Sequence, residues 1–237
     1  MRVGIVVFPG SNCDRDCCDV VERLLGQTAV SLWYRDTALP TLDAVILPGG
    51  FSYGDALRAG AIARFAPIMQ AIARFAQEGG YVLGICNGFQ ILVEAGLLPG
   101  AFLKNCSLRF ICKPVFVRVE HHQNPYLSRY ADGEVLSLPI AHGEGNYYIH
   151  PEGLAHLEAH RQILLRYCDP LGYCAQDANP NGSMGDIAAL CNPAGNVMGM
   201  MPHPERASDA ALSGGTDGLR LFQSLIDRGC APDRMRS

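Results

Sequence analysis

Gly84-Ile85-Cys86-Asn87-Gly88 follows an apolar run, Tyr81 to Ile85, and precedes a helical one. A cysteine on such a strand-to-helix turn stands exposed at the carboxyl edge of a sheet. The helix start offers it free backbone N–H groups and the positive end of the helix dipole. Both favour the thiolate, the form that attacks carbonyl carbon. The Asn87 N–H is placed to help hold the oxyanion that follows. The same pentapeptide would also fit a glycine-lined strand end with an ordinary buried thiol, since free cysteine usually behaves as a small hydrophobe. Nucleophilic chemistry therefore needs a base and an orienting group elsewhere.

Residues 201–206 (MPHPER) supply both. His203 and Glu205 are two apart, and in an extended segment such side chains point the same way. Pro202 and Pro204 favour that backbone. His203 could take the proton of Cys86 while Glu205 fixes the tautomer and steadies the imidazolium. A surface turn holding the two residues by chance is the plainer alternative. A second oxyanion donor is available in Gly49-Gly50, which follows the apolar run Ala44 to Leu47. Glycines there let backbone approach a ligand at a strand's carboxyl end.

The elements that must position these groups can be read from periodicity. Val3 to Phe8, Ala29 to Tyr34, Ala44 to Leu47 and Tyr81 to Ile85 read as buried strands. Asp14 to Leu25 reads as a helix capped by Ser11 or Asn12 and ended at Gly26. Ile62, Phe65, Met69, Ile72 and Phe75 recur at helical spacing before Gly79-Gly80, and Asn87 to Ala95 reads as the next helix. Apolar strands alternating with amphipathic helices indicate a mostly parallel sheet covered on both faces. Later segments are short: Val115 to Glu120, Glu134 to Ile140, Tyr147 to His150, Ile163 to Cys168, Ile187 to Cys191 and Val197 to Met200. Turn chemistry separates them, which suggests antiparallel additions to the same sheet. A helix over about Asp217 to Arg228 closes one α/β domain spanning 1–237.

Composition narrows the function classes. A net charge of −4 argues against a general nucleic-acid binder. No apolar stretch approaches a membrane span and no secretory leader is legible, so a cytoplasmic protein is expected. The ten cysteines contain no C-x-x-C pair, which disfavours zinc-ribbon and thioredoxin-type sites. His156 and His160 lie i, i+4 on a helical stretch but lack a third ligand and the H-E-x-x-H pattern. No phosphate-binding loop is present, so an ATP site is not expected in this chain.

Seven segments together carry a family resemblance: 8–16 (FPGSNCDRD), 47–55 (LPGGFSYGD), 57–63 (LRAGAIA), 82–92 (VLGICNGFQIL), 140–147 (IAHGEGNY), 181–183 (NGS) and 199–207 (GMMPHPERA). The chain resembles the triad-type, class I glutamine amidotransferases, and among them the glutaminase subunits that serve purine biosynthesis. The resemblance implies a flavodoxin-like three-layer sandwich. It implies hydrolysis of L-glutamine by a Cys86–His203–Glu205 triad with backbone oxyanion donors at Gly50 and Asn87. Gly49, Phe51, Gln90, Arg109 and Phe110 match substrate-binding positions, and His142 and Glu144 a motif at the active-site rim or partner face. No cofactor is implied here. ATP and Mg are expected on a large synthetase subunit, joined by a small accessory subunit. Ala56 departs from the pattern, which has an aromatic after Gly54-Asp55. A non-catalytic scaffold and a thiol hydrolase of similar fold remain rival readings, since fold alone does not fix function.

Overall fold

The computed structural model describes residues 1–175, 177–213 and 215–229. Cys230, one of the ten cysteines, lies outside them. Eleven strands and six α-helices alternate in the described residues. β1 (Arg2–Val7) leads to α1 (Asp14–Asp19), which continues as a π-helical turn over Val20–Leu24, then to β2 (Thr28–Trp33) and β3 (Ala44–Leu47). α2 (Pro67–Gln77), β4 (Tyr81–Ile85) and α3 (Asn87–Glu94) complete the first half. β5 (Ala101–Leu103), β6 (Ile111–Val119), β7 (Val135–His142), β8 (Asn146–Tyr148), α4 (Pro151–Ala159), β9 (Ile163–Cys168), β10 (Ile187–Cys191) and β11 (Val197–Met200) follow. α5 (Ala210–Ser213) and α6 (Leu219–Gly229) end the described chain.

Nine strands form one sheet in the order β2-β1-β3-β4-β11-β10-β9-β6-β7, and β5 pairs with β8 in a separate ribbon. Contacts from β2 to β11 are parallel, and those from β11 to β7 antiparallel. The expected α/β sandwich, a mostly parallel sheet with antiparallel additions, is therefore the observed one. Each strand buries alternate residues on opposite faces. Val3 and Ile5 of β1 join a core with Val20, Phe222 and Leu225. Val6 faces the opposite core, with Ile68, Ile72, Phe89 and Leu92. Each such side chain contributes roughly 1.5–3 kcal/mol by leaving water.

Several local expectations are corrected. Neither Ser11 nor Asn12 caps α1: the cap position is Cys13, with no side-chain bond. Ser11 Oγ instead accepts from the Phe8 N–H at 3.0 Å. The helical spacing from Ile62 to Phe75 is broken, because Ala66, ahead of Pro67, is extended at ψ 139°. Phe65 accordingly lies outside the core, 72 % exposed, with the Arg64 guanidinium over its ring at 4.4 Å. His160 Nδ1 lies 2.8 Å from the His156 carbonyl, and the two rings stack 4.0 Å apart. No helix among the described residues is long and apolar enough to cross a membrane.

Candidate active site

β4 and β11 are parallel neighbours with Ile85 opposite Met200. Both chains leave the sheet at the same edge, which brings Cys86 and His203 together. Cys86 adopts φ 49°, ψ −105°. Left-handed backbone costs an L-residue roughly 1–2 kcal/mol. The surroundings fix it there: its N–H donates to Met200 O at 2.7 Å, and its carbonyl accepts the Gln90 N–H at 3.1 Å. Gly84 and Gly88 make the turn possible. A Cβ on Gly88 would strike the Leu47 carbonyl, and one on Gly84 would lie 2.7 Å from the Gly88 backbone. The thiol lies 3.6 Å from Ala141 O.

His203 and Glu205 are 2 % and 5 % exposed. Nδ1 and Oε1 are 2.6 Å apart. The geometry differs from the expected extended segment, since Pro204 opens a 3-10 turn over Pro204–Ala207. The turn, rather than strand alternation, swings Glu205 back to the ring. Burial opposes charge on His203, but the Glu205 carboxylate and then Cys86 outweigh it and hold the imidazole well above its usual range. Among the described residues no hydrogen bond of ordinary geometry reaches its buried Nε2.

A second thiol backs the ring. Cys13 Sγ lies 3.9 Å from His203 Nδ1 and 3.0 Å from Arg206 Nη2, and Asp16 holds Arg206 at 3.3 Å. Cys13, His203 and Glu205 form the one three-ligand grouping among the described residues, with ligand atoms within 4.8 Å of one another. The Arg206 cation on the sulfur and the His203–Glu205 bond already engage those atoms, which disfavours a metal ion there.

A cavity of about 250 Å³ opens on Cys86. Gly50, Phe51, Gln90, Arg109, Phe110 and Glu144 all line it, as does His142. Gly50 sits at φ 145°, and its N–H donates to no backbone carbonyl among the described residues. The Asn87 N–H, in the first turn of α3, has no intrahelical acceptor. The Asn87 side chain accepts from Ser52 N at 3.0 Å and donates to Gln90 Oε1 at 2.9 Å. Gln90 Nε2 donates to Glu144 O at 2.7 Å, so both ends of its amide are engaged. Phe51 and Phe110 face each other 6.1 Å apart. Gly49 stands behind the ring: a Cβ there would lie 2.7 Å from His203 Cε1.

His142, expected with Glu144 at the active-site rim or partner face, is 3 % exposed and lines the cavity. Its Nδ1 lies 3.1 Å from Asn105 Oδ1. Burial and the neighbouring His203 depress it to about 4, so it is a neutral wall of the cavity. Three residues near the site had no role from sequence: Asp55 and Lys104 in the cavity wall, and Cys13 behind the base.

A family model described as a CobB/CobQ-like glutamine amidotransferase domain matches residues 1–222. The chain is 56 % identical to phosphoribosylformylglycinamidine synthase subunit PurQ of Moorella thermoacetica, over 96 % of each chain. It is 57 % identical to the subunit of that name from Acaryochloris marina, again over 96 % of each. Among solved structures it is similar to one described as PurLQS from Thermotoga maritima, with TM-score 0.84 and 42 % identity, covering 96 % of this chain and 98 % of that one.

Proposed function

The chain belongs to the CobB/CobQ-like glutamine amidotransferase family, and on that premise we propose that it is the glutaminase subunit of phosphoribosylformylglycinamidine synthase. In this reading it hydrolyses L-glutamine to glutamate and ammonia in the cytoplasm. It delivers the ammonia to a large synthetase subunit, assisted by a small one. The synthetase, carrying ATP and Mg, converts formylglycinamide ribonucleotide to formylglycinamidine ribonucleotide. Similarity to PurQ chains over 96 % of their length supports the assignment, as does the PurLQS neighbour. The observation that carries the chemistry is a strained Cys86 at the edge of a cavity, brought by the β4–β11 pairing to the same sheet edge as a buried His203–Glu205 pair.

The mechanism follows from those positions. The Cys86 thiolate attacks the δ-carbonyl carbon of glutamine. The N–H groups of Gly50 and Asn87 receive the tetrahedral oxyanion. His203, charged by taking the thiol proton, gives a proton to the departing ammonia and leaves a γ-glutamyl thioester. It then takes a proton from water, which attacks the thioester and frees glutamate and Cys86. Glu205 holds Nδ1 so that Nε2 faces the reacting atoms. Phe51, Gln90, Arg109 and Phe110 enclose the substrate, with Gly49 leaving room for the ring.

Glutamate release by wild type and Cys86→Ala, alone and with the synthetase subunits, tests the proposal. Turnover that rises in the complex and vanishes in the variant is expected. Equal turnover in folded Cys86→Ala would remove Cys86 from its role. A folded wild type silent in every combination would leave the scaffold reading.

A further inference from the structure

Charged side chains of both signs line the cavity. Lys104 and Arg109 bring positive charge, and Asp55 and Glu144 negative charge. Neither Lys104 nor Arg109 has a carboxylate within ion-pair distance among the described residues. Glu144 is accounted for, since its Oε2 accepts the Ala59 N–H at 3.1 Å. Asp55 differs: its Oδ1 is buried and has no hydrogen-bond partner among the described residues.

Its backbone is also held at a cost. Tyr53, Gly54 and Asp55 take φ of 54°, 65° and 53° in succession. Two of the three are not glycine, and such residues persist in that region only where their surroundings dictate it. Tyr53 N–H donates to Pro9 O at 2.7 Å, and Gly54 N–H to Phe51 O at 2.8 Å. The neighbouring Ser52 N–H is tied to Asn87 at 3.0 Å. The turn is thereby anchored to the loop after β1 and to the nucleophile's own helix. Its effect is to carry one carboxylate into the cavity wall. Burial, and next Glu144, push that carboxyl up to about 6. An unpaired buried carboxylate oxygen is unfavourable until a donor arrives, and a cation is the strongest donor.

Glutamine carries one cation, its α-ammonium group. We propose that Asp55 binds the α-ammonium of the substrate and so makes the site select α-amino acid amides over amides without the amino group. The inference rests on the glutaminase reading. In the same arrangement Lys104 and Arg109 are left for the α-carboxylate. Neither role reaches the reacting amide carbon, so Asp55 acts on substrate recognition and leaves the proton transfers to His203.

The experiment compares L-glutamine with glutaramate, the same chain lacking the α-amino group, as substrates of the assembled complex. Wild type should prefer glutamine in kcat/KM. Asp55→Asn should lose about 10- to 100-fold in kcat/KM for glutamine, mainly through KM, with glutaramate nearly unaffected. Asp55→Glu, which keeps the charge, should retain part of the preference and covers the case in which Asp55→Asn does not fold. Equal losses on both substrates would show a structural role and overturn the proposal. So would a wild type indifferent to the amino group, a result that needs no variant and leaves the glutaminase reading standing. Wild-type silence toward glutamine would instead overturn that reading, and this inference with it.

Discussion

Glu205→Gln changes one atom in a side chain that is fully buried against His203. The structure allows its effect to be worked through. The transition state carries an imidazolium, and the 2.6 Å contact from Nδ1 is then a charge-assisted bond. Such a bond is worth about 1.5–3 kcal/mol net, or roughly 10- to 150-fold in rate. A second loss comes from the tautomer. A glutamine that donates its amide proton to Nδ1 leaves the ring proton on Nε2, where it cannot accept from Cys86. Together the two effects should lower kcat by about 10³- to 10⁴-fold, near the cost of the equivalent change in other triads. The loss should remain smaller than that of Cys86→Ala. The assay is glutamate release in the assembled complex, with single-turnover measurement to isolate acylation. Retention of more than a third of wild-type kcat by a folded Glu205→Gln would refute the reasoning. The pair also predicts a pH effect on stability. His203 is raised in the folded state, so its contribution is full below about pH 6.5, the unfolded value, and is lost as pH rises through the folded one. Glu205→Gln should flatten that dependence.

His142 makes the opposite prediction. Its folded value of about 4 lies below the unfolded one, so the unfolded chain binds more protons between pH 6.5 and 4, and stability should fall by about 3 kcal/mol across that window. Urea unfolding at several pH values should show this slope in wild type and less of it in His142→Gln. The strain at Cys86 should reverse the usual ranking of small residues: Cys86→Gly should unfold at higher urea than Cys86→Ala, by about 1 kcal/mol. The reverse order would mean that the turn is unstrained. Gly88→Ala should fail to fold or lose more than about 3 kcal/mol, because its Cβ meets the Leu47 carbonyl. Gly96→Ala, at φ 72° with open space around it, should cost only about 1 kcal/mol in thermal unfolding. Tyr126→Phe should lose about 1–2 kcal/mol, since the buried hydroxyl lies 2.8 Å from Val82 O and 2.6 Å from Asn196 O.

The parallel half of the fold was legible because its strands are continuous apolar runs, and such runs arise where both faces of a strand are covered. Ala101–Leu103 was not, being three residues long and only partly buried, so neither length nor pattern marks it. The helical spacing through Phe65 misled because periodicity counts apolar residues and ignores the steric demand of Pro67 on the residue before it. At the candidate site, residue types and chain order pointed to Cys86, His203 and Glu205. The route by which Glu205 reaches the ring differs from the expected one, because both prolines suit an extended chain and Pro204 instead opens a 3-10 turn. Asp55 and Cys13 acquire interest only through what surrounds them, an orphaned oxygen in one case and an imidazole at 3.9 Å in the other. No local pattern encodes such neighbours.

The place of β11 in the sheet bears on how the molecule is made. Among the described residues this last strand lies between β4 and β10, and it alone joins the parallel half to the antiparallel half. Until it has emerged from the ribosome, β4 has no partner on one side, and its backbone donors and acceptors form an open edge. The nucleophile is synthesised early, at the end of that same strand, and must wait for its base. A nascent chain halted before β11 would therefore hold the thiol without His203 and Glu205 and would be inert toward amides. Pairing between β4 and β11 spans about half of the sequence, so it should close late and slowly, and the edge that waits for it is where premature association between chains would begin.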